Sequence, residues 1–186
     1  MTRFLSLLVL ACSMLLPNMR SQAQENTGSR TLIVYYSWGG NTRSLVQQIQ
    51  SLCKVDVLEV LPEQSYPTDY KQCVDQAKEE IRNNYRPALS TPLPNLQNYD
   101  VILVASPNWW GTIAPPMATL LEGLKFDGKV VIPVITHGGG GIQQCEIDIK
   151  KLCPGASFRE SLCLRGSQNT GKHIKKIERW AKELGL

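Results

Sequence analysis

The sequence predicts a doubly wound α/β domain, a parallel sheet covered on both faces by helices through right-handed crossovers. Three observations lead there. Five runs rich in β-branched and aromatic residues alternate with five segments of helical period. Each run is nearly continuous in apolar residues, as a strand buried on both faces requires. The chain has 186 residues, 42% of them hydrophobic and 19% charged. That is material for one sizeable core and, at roughly 150 residues per domain, length for one domain. Disorder and collagen are excluded.

The first segment is not part of that core. Arg3 precedes an apolar stretch from Phe4 to Leu16, broken only by Ser6, Cys12 and Ser13 and followed by Pro17 and Ser21-Gln22-Ala23. This is the pattern of an export leader over residues 1–23, cleaved after Ala23. The run falls short of the roughly 20 apolar residues of a spanning helix. Val9-Leu10-Ala11-Cys12 leaves a second option, a lipoprotein box that would acylate Cys12 and hold the chain at a membrane surface; without that acylation no membrane contact is expected. The expected location is therefore periplasmic or lipoprotein-like. Residues 24–30 are a linker, and 31–186 are the domain.

Its strands are expected at Thr31–Ser37, Val55–Leu61, Val101–Ser106, Val130–Thr136 and Ser157–Leu164. The helices are expected at Thr42–Cys53, Thr68–Asn84, Pro115–Leu124, Ile142–Leu152 and Thr170–Leu186. The Pro-rich stretch from Arg86 to Asn95 reads as a surface connection. The formal charge of +4 is mild and dispersed, so no nucleic-acid partner is expected. After export, Cys53, Cys73, Cys145, Cys153 and Cys163 would meet an oxidising compartment in which disulfides persist. Their spacing matches no zinc site. Cys145 and Cys153 lie about 12 Å apart along one expected helix, beyond direct bridging.

Ligands of such a sheet bind beyond the carboxyl ends of its strands, and three loops there carry chemistry. Ser37-Trp38-Gly39-Gly40-Asn41-Thr42 runs into a helix start, where free amides and the helix dipole suit a phosphate; Asn41 or Thr42 could equally be a plain helix cap. Ser106-Pro107-Asn108-Trp109-Trp110-Gly111 offers two tryptophans to a planar ring, unless one folds back onto the core. Thr136-His137-Gly138-Gly139-Gly140-Gly141 supplies bare backbone, with His137 either a proton donor or a plain structural residue. Gly166 to His173 nearly spells a triphosphate-binding loop, but His173 stands where a magnesium-binding hydroxyl belongs, and Asn169-Thr170 explains the same letters as a cap. Tyr66, Asp69 and Tyr70 read either as packing around a cap at Thr68 or as a contact to the ligand.

Taken together, Ser37-Trp-Gly-Gly-Asn-Thr42, Tyr66-Pro-Thr-Asp-Tyr70, Tyr85-Arg-Pro87, Ser106-Pro-Asn-Trp-Trp-Gly111 and Thr136-His-Gly-Gly-Gly140 resemble the flavodoxin family, in its flavodoxin-like bacterial branch that sometimes carries export signals. The resemblance implies a three-layer α/β/α sandwich with a five-stranded parallel sheet in the order 2-1-3-4-5, and one FMN. By the same resemblance Ser37, Gly39, Gly40, Asn41 and Thr42 hold the phosphate. Pro107, Asn108, Trp109, Trp110 and Gly111 line the isoalloxazine, and Thr136, His137, Gly138 and Gly139 close its other side. Gly39 stands where the family's phosphate loop has a second threonine. His137 and glycines replace the tyrosine usual in the last flavin loop, and the last connection is too short for the insertion of long-chain flavodoxins.

The function implied is electron transfer by an FMN protein, with a redox partner protein or a small quinone-like oxidant as partner. An FMN-dependent reductase passing electrons from NADH or NADPH to quinones is the second reading. A binding module of the same fold without flavin is the third. A flexible Trp110–Gly111 peptide is expected to reorient and accept a bond from the reduced ring's N5–H.

Overall fold

The computed structural model describes residues 30–166 and 171–186. The leader reading and the Asn169-Thr170 cap lie outside the described residues. Along them run β1 (Thr31–Tyr35), α1 (Asn41–Leu52), β2 (Asp56–Glu59), α2 (Tyr70–Arg82), β3 (Val101–Trp109), β4 (Thr112–Ile113), α3 (Pro115–Glu122), β5 (Val130–His137), α4 (Cys145–Leu152), β6 (Ser157–Phe158), β7 (Leu162–Arg165) and α5 (Ile174–Leu184).

The sheet runs β2-β1-β3-β5, and β5 then pairs with both β6 and β7; every one of these pairings is parallel. This is the expected order, with two differences from a plain five-stranded sheet. The fifth strand is split into β6 and β7: the Arg159 N–H still donates to the Val131 carbonyl at 3.3 Å, and strand pairing resumes only at Leu162. The break lies opposite the stretch around Pro133 of β5, a residue with no N–H to give. The other addition, β4, folds back antiparallel on the end of β3, pairing Asn108 with Ile113 and Trp109 with Thr112. What reads in the sequence as a loop after Ser106 is therefore a strand continuing to Trp109.

Alternation along the strands builds two cores. Leu32, Val34, Ile102, Val104 and Ile135 face Met117, Leu120 and Leu121 of α3, Cys145 and Ile149 of α4 and Cys73 of α2. Ile33, Tyr35, Leu103, Ile132 and Val134 face Leu45, Val46 and Ile49 of α1 and Ile177, Trp180 and Ala181 of α5. The result is the three-layer sandwich, each large buried side chain contributing roughly 1.5–3 kcal/mol. Arg30 ties the start of the domain to it, its N–H donating to Asp100 and its guanidinium to Asp56. The Pro-rich connection is pinned beside β2 by a bridge between Pro62 and Leu89.

Cys53, Cys73, Cys145 and Cys153 are buried, Cys163 is half-buried, and all five are free thiols. Burial pushes Cys145 and Cys153 up to about 12, so both stay protonated at neutral pH.

Candidate functional site

Three chain segments meet where β1, β3 and β5 end at their carboxyl edge, and the cavity between them has a volume of about 550 Å³, within the range of small-molecule sites. At one pole stands the start of α1. Gly40, at φ 84, occupies the cap position and offers no side chain, so neither Asn41 nor Thr42 is the cap; both are the first residues of the helix. A helix leaves its first four amides without internal partners. The Arg43 N–H donates to Ser37 Oγ at 3.2 Å and the Ser44 N–H to the Gly40 carbonyl at 2.9 Å. Among the described residues the amides of Asn41 and Thr42 have no partner and remain for an anion, and the first turn carries no acidic residue to compete with one. Thr42 Oγ1 lies 2.8 Å from Thr136 Oγ1, a buried contact joining α1 to the end of β5. Gly166 closes this pole from β7, so near that a Cβ on it would lie 3.1 Å from Asn41.

At the other pole stands the β3–β4 hairpin. Its two central residues, Trp110 and Gly111, have φ of 52 and 92, the two positive values of a type I′ turn. The tryptophans divide the work. Trp109 is half-buried, edge-on to Tyr36 at 5.5 Å and to Tyr66 at 5.0 Å, so it folds toward the core while still lining the cavity. Trp110 is 53% exposed. It spans the cavity to α2, where its Nε1 donates to the Val74 carbonyl at 3.0 Å, and Lys78 Nζ sits 4.9 Å from its ring.

The peptide between Trp110 and Gly111 is fixed rather than flexible. Its N–H, that of Gly111, donates to Asn108 Oδ1 at 2.9 Å, and the following peptide is held through the Gly111 carbonyl, which accepts from the Gln144 N–H at 2.9 Å. Turning the peptide over would convert the turn to type II′, which calls for glycine at the first central position, and Trp110 stands there. The expected reorientation is thus opposed by the residue that carries it.

The third wall is the end of β5 and the glycines after it. His137 Nδ1 is buried and has no hydrogen-bond partner among the described residues. Desolvation, and secondarily the charge of Arg165, lower its pKa, so the ring is neutral at pH 7.

The cavity is lined by Ser37, Gly39, Asn41 and Thr42, by Pro107 to Trp110, and by Thr136, His137 and Gly138. Among the described residues Gly40, Gly111 and Gly139 do not line it: Gly40 caps α1, while Gly111 and Gly139 border an adjoining cavity of about 360 Å³. Sequence reasoning missed Trp38 and Gly166 and most of the wall from α2, formed by Tyr70, Cys73, Val74 and Ala77, of which it held only Tyr70 as an open alternative. The signal was there, since these four stand at i, i+3, i+4 and i+7 and form one stripe of the helix. Tyr70 also answers the tyrosine question. It leans on Trp38 at 6.2 Å, 72% exposed, whereas Tyr66 is buried and donates to Glu80. The cap beside them is Asp69, accepting from the Gln72 N–H at 2.9 Å, not Thr68.

No Asp, Glu, Lys or Arg lines the cavity among the described residues. It combines two uncommitted helix amides and hydroxyls at one end with indole rings, bare glycine backbone and an unpartnered imidazole nitrogen at the other. A Cβ on Gly138 would meet nothing within 4 Å among the described residues. A planar heteroaromatic ring carrying a phosphate tail fits this donor set.

The chain matches the family model of flavodoxin over residues 30–183 and belongs to the flavodoxin family. A crystallised flavoprotein of Bacteroides eggerthii is 25% identical, with a TM-score of 0.73, the match covering 86% of this chain and 99% of that one. One of Bacteroides uniformis is 26% identical, with a TM-score of 0.72 and coverage of 83% and 99%. A flavoprotein of Lactobacillus acidophilus in complex with FMN is 26% identical, with a TM-score of 0.63 and coverage of 81% and 99%. No curated protein matches the chain.

Proposed function

We propose that the chain is an FMN-binding electron-transfer protein. One observation carries the reading: a single uncharged cavity joins an α-helix N-terminus with open amides to a double-tryptophan hairpin. Bound there, FMN supplies the redox chemistry, while the protein sets its potential by stacking, hydrogen bonding and local charge. The amides of Asn41 and Thr42 and the hydroxyls of Ser37 and Thr42 hold the phosphate. Trp109 and Trp110 flank the ring and exclude water from one side, with Trp110 anchored to α2. His137, neutral at pH 7, offers one ring nitrogen to a polar edge. The absence of carboxylates from the described lining spares a reduced, negatively charged ring the repulsion of nearby anions. Export of the domain, and a redox partner met outside the cytoplasm, belong to the same proposal and rest on the leader pattern from Arg3 to Ala23.

A second reading, reduction of a small quinone-like oxidant, draws on the adjoining cavity of about 360 Å³ beside His137 and Trp110, which is roomy enough for a small ring. The test is an absorbance spectrum of the purified domain before and after FMN addition and desalting. Retained flavin bands, followed by reduction and reoxidation without steady turnover of NADH or NADPH, support the carrier. Sustained turnover of a quinone moves the assignment to the reductase. No retained flavin in the presence of excess FMN defeats both.

A further inference from the structure

Gln143 holds a left-handed backbone, φ 45, two residues after Gly141 at φ 75. A non-glycine residue keeps such a conformation where its surroundings over-determine it, and such outliers gather at functional sites. Here the surroundings are two loops. Gln143 Oε1 accepts from Asn108 Nδ2 at 3.0 Å. Its amide also sits between the tryptophan hairpin and the glycine loop: a Cβ on Gly111 would come within 3.3 Å of Oε1, and one on Gly140 within 3.5 Å of the same group.

Asn108 completes the link. Its Nδ2 also donates to the Gly141 carbonyl at 2.7 Å, and its Oδ1 accepts the Gly111 N–H. Both of its amide hydrogens and its oxygen are committed, one side to each loop. Gln143 itself lines only the adjoining cavity, not the main one.

We propose that Gln143 is a positioning residue for the flavin. From outside the main cavity it fixes, through Asn108, the gap between the tryptophan hairpin and the glycine loop, and so sets how tightly the ring between them is held. This rests on the FMN reading. The role needs a wedge of glutamine's length and an oxygen that accepts from Asn108; glutamate has both and adds one negative charge.

Three variants test it on the full domain. Gln143→Ala removes wedge and acceptor, Gln143→Gly removes both while relieving the backbone, and Gln143→Glu keeps both. Expected are FMN dissociation constants roughly tenfold weaker for Ala and Gly, the lower end of what loss of an outer supporting partner does elsewhere, and a near wild-type constant for Glu. The glutamate variant should also show a lower midpoint potential, since the added charge opposes electron uptake. In the FMN-free protein, amide exchange at Gly111 and Gln144, whose N–H groups donate to Asn108 Oδ1 and to the Gly111 carbonyl, should rise in Ala and Gly and stay unchanged in Glu. Wild-type affinity in both Ala and Gly, or equal loss in all three, overturns the proposal. If the wild-type domain takes up no FMN, the flavin reading falls with that result, and the exchange rates still decide on the clamp. Unchanged rates in Ala and Gly refute it, and raised rates reversed in Glu uphold it.

Discussion

Thr42→Val removes one hydroxyl and almost nothing else, because the two side chains have nearly the same shape. Thr42 Oγ1 and Thr136 Oγ1 lie 2.8 Å apart in a buried contact, and one of the two protons is used between them. When Thr136 donates, the Thr42 proton is left for the phosphate at the start of α1, and the donated bond polarises it further. A hydrogen bond to a charged group contributes about 1.5–3 kcal/mol, so the variant should bind FMN roughly 10- to 150-fold more weakly. Riboflavin, the same ring without phosphate, should bind nearly as before. Titration of both flavins by fluorescence quenching gives the ratio directly. The FMN-free fold should lose about 1–3 kcal/mol, since the Thr136 hydroxyl is stranded, and Thr136→Val added to it should recover most of that loss. Equal weakening for FMN and riboflavin would refute the reasoning, because it would mean the cavity had deformed. Unchanged FMN binding would place the phosphate somewhere other than the start of α1.

Asp69→Ala strips α2 of its cap and should lower stability by about 1 kcal/mol, seen as a fall in Tm of roughly 2–4 °C. Trp110→Gly frees the turn to take the type II′ form. The Gly111 amide signal should then differ between oxidised and reduced protein, while staying the same in the wild type and in Trp110→Ala. His137 should make the FMN-free fold sensitive to acid. Its pKa is lowered in the fold by desolvation and by Arg165, so below about pH 6.5 the unfolded chain binds the proton first. The stability this represents is present in full above that pH and is lost as the pH falls through the folded value. Urea titrations of the FMN-free domain should show this slope in the wild type and not in His137→Gln.

Much of the fold was legible because a parallel strand advertises itself: Leu32 to Tyr35 and Val101 to Ala105 are short runs of apolar and aromatic residues, buried on both faces. Departures came where pairing partners, not local residues, decide. Trp109 belongs to a strand only because Thr112 and Ile113 turn back upon it. The fifth strand breaks at Arg159-Glu160-Ser161, where two charged residues in an apolar run were the visible warning. α4 begins at Cys145 rather than Ile142 because Gly141 and Gln143 both take left-handed backbones. In the site, the three loops were found by their residue types. Beyond Tyr70, weighed as a possible contact, the wall from α2 was not, because the stripe from Tyr70 to Ala77 is what any helix shows its core, and only the packed structure reveals that part of it faces a cavity.

Gly166 lies against Asn41, so the cavity that starts at Ser37 is closed by a residue from near the far end of the chain. On the proposed reading, no shorter portion of the sheet holds a finished phosphate pole, because Gly166, just past β7, forms part of it. If the phosphate sits at the start of α1, flavin binding requires β7 to be in place. A chain that crosses a membrane unfolded would have to find its FMN on the side where it folds.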